Sequence, residues 1–378
     1  MRRCVWAAIL IHGLASLWFS ATCTADEPAS LPPRWVDPRC SLLDCTKDGP
    51  FARDGDGSLL YFEKKQLWTS ADDGRTWAAR GPEIEAGIQL EHVGHVGHFI
   101  RLPDGSLVVV YLNFDGYKFE WDDEKNEPRP TCKLEMWGMR SSDGGLTWSD
   151  NQQILPGYNA DFMGLIQTRG GRVVATFEHL DFELKRFLVG SVYSDDGGKT
   201  WQISNFIDMG GRGHHDGALE PMLVELKDGR LLMLIRTNHD QFWRAISSDA
   251  GSSWRILEPS GIDASSAPGW LTRLSSGRLA LTWNRLHSQH KGAWPKTRKN
   301  ASTSAELASW HREELSLAFS SDDGMTWTSP QVVAYEDGGG LAYPYIWEHK
   351  PGELWIFSRF PRKSLPVLAI RVNEADFP

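Results

Sequence analysis

The 378-residue chain has only five cysteines, and none stands in a spacing that could grip zinc. His92, His95 and His98 are spaced for a helix face, but their stretch is rich in Gly and leads toward a strand. No metal and no cofactor are therefore expected. Blocks of basic residues are missing and the net charge is −9, which argues against a nucleic-acid partner. Mild acidity leaves an anionic ligand open, because a local arginine cluster can override the mean. Long amphipathic helical patterns and low-complexity tracts are nearly absent. One long apolar run exists, Val5 to Phe19; Arg2 and Arg3 precede it and the small residues Ser20 to Ala25 follow it. That is the make-up of an export signal, cleaved after Ala25. The run is short for a bilayer span, Cys23 stands in a poor lipoprotein context, and no later segment could cross a membrane. The expected layout is a signal peptide over 1–25, an N-terminal extension over 26–48 and one domain over 49–378, exported to the periplasm or the exterior. Cleavage leaves Cys40, Cys45 and Cys132, of which Cys40 and Cys45 could close a small loop in an oxidising compartment.

What is present is repetition. The octet Ser-x-Asp-x-Gly-x-Thr-Trp occurs at Ser70–Trp77, Ser141–Trp148, Ser194–Trp201 and Ser320–Trp327, and Ser247–Trp254 is a fifth copy with Ser253 in the Thr position. The residue types suit a tight turn between strands: Ser and Asp bond backbone N–H groups, Gly takes a positive φ, and Trp covers apolar surface. These aspartates read as structural. A second repeat is a turn glycine followed by an apolar run, at Gly57, Gly105, Gly171, Gly229, Gly277 and Gly352. Six hairpins with room for four strands each predict an all-β fold, a six-bladed β-propeller with five of the octet turns. The last strand, near Val367 to Val372, is expected to complete a blade with the N-terminal segment. Asp115 to Arg129 and His287 to Ser309 read as loops inserted into blades.

Strand polarity sorts residues by face. The start of strand 1, the end of strand 2 and the start of strand 3 share one rim, and the hairpin turns and octets share the other. Pairing residues sixteen apart across each turn brings Glu220 to Arg236 and Tyr343 to Arg359. It also sets His95 against Tyr111, Asp161 against Phe177 (beside Glu178), and Pro268 against Asn284. Arg312 stands just before a third strand. Glu220, Arg236, Arg312, Tyr343 and Arg359 are thereby expected at one mouth of the ring, where arginine suits two-pronged binding of a carboxylate.

At these residues the chain resembles the sialidases. The octets match their Asp-boxes, and the order Glu220, Arg236, Arg312, Tyr343 is similar to that family's active-site order, over roughly Gly49 to Arg371. The resemblance is to the exported bacterial branch with BNR repeats. It implies an exo-glycosidase that hydrolyses terminal sialic acid or a related acidic sugar from a glycan or polysaccharide. A Tyr nucleophile, Tyr343, would attack the anomeric carbon with retention. Glu220 would take its proton, and Arg236 and Arg312 would hold the substrate carboxylate. The acid/base Asp on a loop would be Asp122 or Asp123, with Asp216 competing. One departure is plain: the family's first arginine falls on His95, while Arg101 lies too near its turn. Arg359 could supply a third cation, and Arg53 is a poorer candidate. A histidine there puts the sugar's identity in question more than the fold. Two other readings stand beside this one: another hydrolase or lyase on an anionic polysaccharide, and a non-catalytic glycan-binding propeller.

Overall fold

A computed structural model describes residues 34–84, 97–289, 292–293, 303–358 and 367–378. The segment expected as a signal peptide lies outside them, as do His95 and Arg359. The described chain is built from β-strands, with a single 3₁₀ turn at Glu374–Asp376.

Six antiparallel meanders make the six blades. Blade I runs through Phe51–Arg53, Leu59–Glu63, Gln66–Ser70 and Ala78–Arg80. Blade II has Gly97–Arg101, Leu107–Lys118, Lys133–Ser141 and Ser149–Leu155. Blade III has Leu165–Gln167, Val173–Asp181, Arg186–Ser194 and Gln202–Ile203. Blade IV has Leu219–Glu225, Leu231–Arg236, Gln241–Ser247 and Ile256–Asp263. Blade V has Trp270–Arg273, Leu279–Trp283, Glu314–Ser320 and Gln331–Glu336, and blade VI has Pro344–Lys350, Glu353–Ser358 and Leu368–Asn373. The first strand of each meander is innermost and meets the first strands of its neighbours.

Residues 34–48, expected as part of an N-terminal extension, are woven into this ring. Ser41–Leu42 is the outer strand of blade VI, with Ser41 opposite Arg371, and Arg34–Val36 adds a fifth strand to blade V, with Trp35 opposite Tyr335. Arg39 forks onto the Asp37 carboxylate and lies 4.1 Å over the Phe377 ring. The expected Cys40–Cys45 pairing is not formed: both are free thiols, and Cys45 Sγ donates to the Lys47 carbonyl at 3.1 Å.

The octets fold as their residue types require. In the third, Ser194 Oγ donates to Asp196 Oδ1 at 2.8 Å and accepts from Gly198 N at 2.8 Å, while Thr200 donates its N–H and its hydroxyl to the same carboxylate at 2.9 and 2.6 Å. Ser253 reproduces both Thr bonds in the variant copy, at 2.8 and 2.6 Å. The box glycine also seals the blade interface. Gly251 has φ +86°, and a Cβ there would stand 3.0 Å from Val174 of the preceding blade, so only glycine fits.

All six hairpins are symmetric about the residue before their turn glycine, so Met222 faces Leu234 and Tyr345 faces Phe357. This corrects two of the expected pairings. Tyr111 lies opposite Gly97 rather than His95, and the same symmetry puts Phe177 opposite Met163 rather than Asp161. Asp115 also continues the strand Leu107–Lys118 rather than opening a loop; the rest of that insertion forms a small hairpin of Trp121–Asp122 with Glu127–Pro128. Apolar side chains fill the spaces between blades, and His98, Phe162, Trp270 and Tyr345 pack ring against ring among the inner strands.

Candidate active site

Two inner strands begin in the same unusual way. Glu220 precedes Pro221 and has φ +41°; Tyr343 precedes Pro344 and has φ +52°. A left-handed backbone in a non-glycine residue costs about 1–3 kcal/mol and persists only where its surroundings enforce it. In blade IV the strand bulges there, with Leu219 opposite Arg236 and the regular register resuming at Met222. The bulge and the turned backbone re-aim Glu220, and the two side chains meet. Tyr343 Oη donates to Glu220 Oε1 at 2.6 Å. The other carboxylate oxygen, Oε2, accepts from Arg236 Nη1 at 2.6 Å. Both members of that ion pair are buried. The expected pairing of Glu220 with Arg236 and their meeting with Tyr343 are thus present in the structure.

Arg312 joins them through a shared residue. Arg236 Nε donates to Ser266 Oγ at 3.1 Å, and Arg312 Nη2 donates to the Ser266 carbonyl at 2.8 Å. Ser266 Oγ in turn donates to Asn238 Oδ1 at 2.7 Å. Arg236 remains firmly protonated: burial disfavours its charge, but Glu220 and then Tyr343 outweigh that. The Tyr343 phenol is pushed well above its ordinary value by burial and by the charges of Glu220 and Asp161, against the pull of Arg236 and Arg312.

A cavity of about 270 Å³ opens over this cluster. Blade III contributes Asp161 and Glu178 to its wall, and the strand and insertion of blade II contribute Phe114, Tyr117 and Phe119. His214 and His215 close another side, with His214 against Trp121 and His215 against Trp310. Glu178 is buried, and its Oε2 accepts the Glu220 N–H at 2.6 Å. Burial, then Glu220 and Asp161, raise its carboxyl well above the ordinary glutamate range, against the Glu220 N–H and Arg236.

Three expected site residues are placed elsewhere. Asp122 and Asp123 do not line the cavity. Asp122 accepts the Lys125 N–H at 3.1 Å and pairs with Arg129 at 3.0 Å, and Asp123 is exposed. Their insertion does reach the site, but with its aromatic residues. Asp216 is buried and saturated: it accepts N–H groups of Arg212 at 3.0 Å, Gly217 at 2.9 Å and Ala305 at 2.8 Å, and the Asn238 amide at 3.3 Å. It ties two loops together and leaves no lone pair well placed for substrate. Arg53 and Arg101 are committed to His349 and Asp54. Among the described residues, no group of three His, Cys, Asp or Glu could hold a metal ion.

Asp161 and Glu178 line this cavity, and sequence reasoning gave them no role. A signal for Glu178 exists. It stands seven residues after Gly171, and Arg236 stands seven after Gly229, so the two occupy equivalent places in neighbouring blades.

A six-bladed ring with a Tyr–Glu–Arg cluster at one mouth is a sialidase-like β-propeller. The chain belongs to the BNR repeat-like domain family, whose model matches residues 99–356. It is 26% identical over 241 residues to a sialidase of Micromonospora viridifaciens, covering 59% of this chain and 35% of that protein. It is 28% identical over 331 residues to a sialidase of Vibrio cholerae, covering 78% of this chain and 39% of that protein. The chain thus spans well under half the length of these curated relatives. Among solved structures, a protein of unknown function from Dyadobacter fermentans has a TM-score of 0.59 at 16% identity, over 91% of this chain and 100% of that one. The Trypanosoma rangeli sialidase, held as a covalent intermediate with 2,3-difluorosialic acid, has a TM-score of 0.55 at 14% identity, over 89% of this chain and 60% of that one. At such identities the structural likeness supports the fold. No helix among the described residues is long and apolar enough to cross a membrane.

Proposed function

We propose that the protein is an exported exo-glycosidase of the sialidase type, removing a terminal sialic acid or a related acidic sugar with retention of configuration. The observation that carries this reading is the relay from Tyr343 Oη to Glu220 Oε1, with Arg236 on Oε2, each at 2.6 Å. A phenol pushed above its ordinary value is neutral at pH 7 and a weak nucleophile. It needs a base in contact, and Glu220 is that base. Arg236 pairs with Glu220 in a buried place and leaves Nη2 without a hydrogen bond among the described residues, available to a substrate carboxylate. A neutral nucleophile suits such a substrate, because a carboxylate nucleophile would be repelled by the carboxylate beside the reacting carbon. A cavity of about 270 Å³ favours one terminal sugar over a threaded polymer.

The test is Tyr343→Phe, which removes one oxygen and the relay with it. Cleavage of 4-methylumbelliferyl N-acetylneuraminide and of other acidic glycosides should fall by about 10³-fold or more while the thermal midpoint is held. A mutant that cleaves as fast as the parent refutes the nucleophile. Binding of the sugars with no turnover by the parent protein would favour the glycan-binding alternative.

A further inference from the structure

A glycosidase also needs a proton for the departing oxygen. Asp122 and Asp123 do not line the cavity, and every good acceptor position of Asp216 is filled. Glu178 differs from all of them. It lines the same cavity as Tyr343, Glu220 and Arg236, and its side chain is buried. One oxygen, Oε2, accepts the Glu220 N–H at 2.6 Å. The other, Oε1, has no hydrogen bond among the described residues, yet it is not sealed from solvent, so it opens onto the cavity. Arg236 bonds Glu220 and not Glu178. Glu178 thus has two acidic neighbours, Glu220 and Asp161, and no ion-pair partner among the described residues. Burial and that company raise its carboxyl well above the ordinary glutamate range and favour the protonated form. Of the two glutamates, Glu220 is bonded to Tyr343 and Arg236, whereas Glu178 is bonded to neither and is left for the other proton transfer.

We propose that Glu178 is the proton donor of this site, carrying a hydrogen on Oε1 that it delivers to the oxygen of the departing group. The proposal rests on Tyr343 being the nucleophile. As Tyr343 Oη bonds to the anomeric carbon, its proton passes to Glu220 Oε1. The bond from that carbon to the leaving oxygen breaks, its electron pair stays on the oxygen, and the Glu178 proton neutralises it. In the second half a water oxygen bonds to the anomeric carbon and gives its proton back to Glu178. The bond to Tyr343 breaks, and Glu220 returns the proton to the phenolate. Each group ends as it began.

The experiment compares Glu178→Gln with the parent on two probes. In 3′-sialyllactose the leaving group is a sugar alkoxide that needs a proton; in 4-methylumbelliferyl N-acetylneuraminide it is a phenolate that does not. Expected is a loss of about 10³-fold in kcat/KM on sialyllactose, under about tenfold on the aryl glycoside, and loss of the alkaline limb of the pH profile. Gln keeps a carbonyl for the Glu220 N–H, so a merely supporting Glu178 would lower both rates alike or neither, and either result overturns the proposal. Asp161→Asn should show no such split; if it alone does, the donor is Asp161 and the proposal falls. A substrate-free readout separates this from the sialidase reading. At pH 7 the intact protein should show the infrared carbonyl stretch of a protonated carboxyl that Glu178→Gln lacks. Absence of that band overturns the proposal whatever is cleaved. A protein that shows the band and cleaves neither probe supports the proton on Glu178 and refutes the sialoside reading instead.

Discussion

The buried pair of Arg236 and Glu220 can be taken apart with its energetics in view. Removing one partner of a buried ion pair costs about 3–5 kcal/mol, because a charge is left without compensation. Arg236→Met should do this to Glu220, which keeps the Tyr343 hydroxyl but loses its only ion-pair partner among the described residues. We therefore expect a cost of about 3 kcal/mol at pH 7. Glu220→Gln alone strands Arg236, although Ser266 still accepts from its Nε. The double variant strands neither and should lie within about 1–2 kcal/mol of the parent, giving a coupling energy of about 2 kcal/mol or more. Equilibrium urea unfolding followed by intrinsic fluorescence is suitable, as most of the eighteen Trp residues lie within the ring. A single-variant cost below about 1 kcal/mol, or strict additivity in the double, would refute the view that the pair is a desolvated unit.

Two more expectations concern the scaffold. Asp216→Ala should cost about 2–3 kcal/mol by unpairing one buried and two half-buried N–H groups, and hydrogen exchange should speed up at Arg212, Gly217 and Ala305 together; protection unchanged at Ala305 would show that Asp216 does not tie the loops. In the octets, the hydroxyls and N–H groups of Thr76, Thr147 and Thr326, with the paired Ser hydroxyls, draw Asp72, Asp143 and Asp322 down to about 2. A folded value below the unfolded one, about 3.9, gives stability that is complete above that value and lost as pH falls through about 2. Thermal midpoints should drop steeply between about pH 4 and 2, and Asp143→Asn should flatten part of that fall.

The fold was legible because its repeats are local. Each octet carries its own hydrogen-bond partners within eight residues, and each hairpin carries its glycine. Glu220, Arg236, Arg312 and Tyr343 were legible because strand polarity assigns them to one rim. Glu178 was harder to see because what sets it apart is depth and company. Its bonded neighbour, Glu220, comes from another blade, and a strand glutamate beside Phe177 reads as an ordinary rim residue. Asp216 misled for the opposite reason: between two histidines and a glycine it resembles a reactive group, and only the arrival of Ala305, 89 residues on, shows it to be a tie. The turned backbones of Glu220 and Tyr343 were also hidden, since a proline after each suggests a plain extended strand.

The clasp between the first and last strands also has a consequence in time. Arg39 reaches the Asp376 carbonyl across 337 residues of chain, and Ser41–Leu42 waits for Leu368–Asn373. At ribosomal speeds the early partner is finished roughly 20–70 s before the late one. During that interval the outer strands of blades V and VI, Arg34–Val36 and Ser41–Leu42, have no blade to join, and their edges stand open. The ring therefore cannot lock while it is being made, and until the last strand arrives the chain stays within reach of chaperones and proteases.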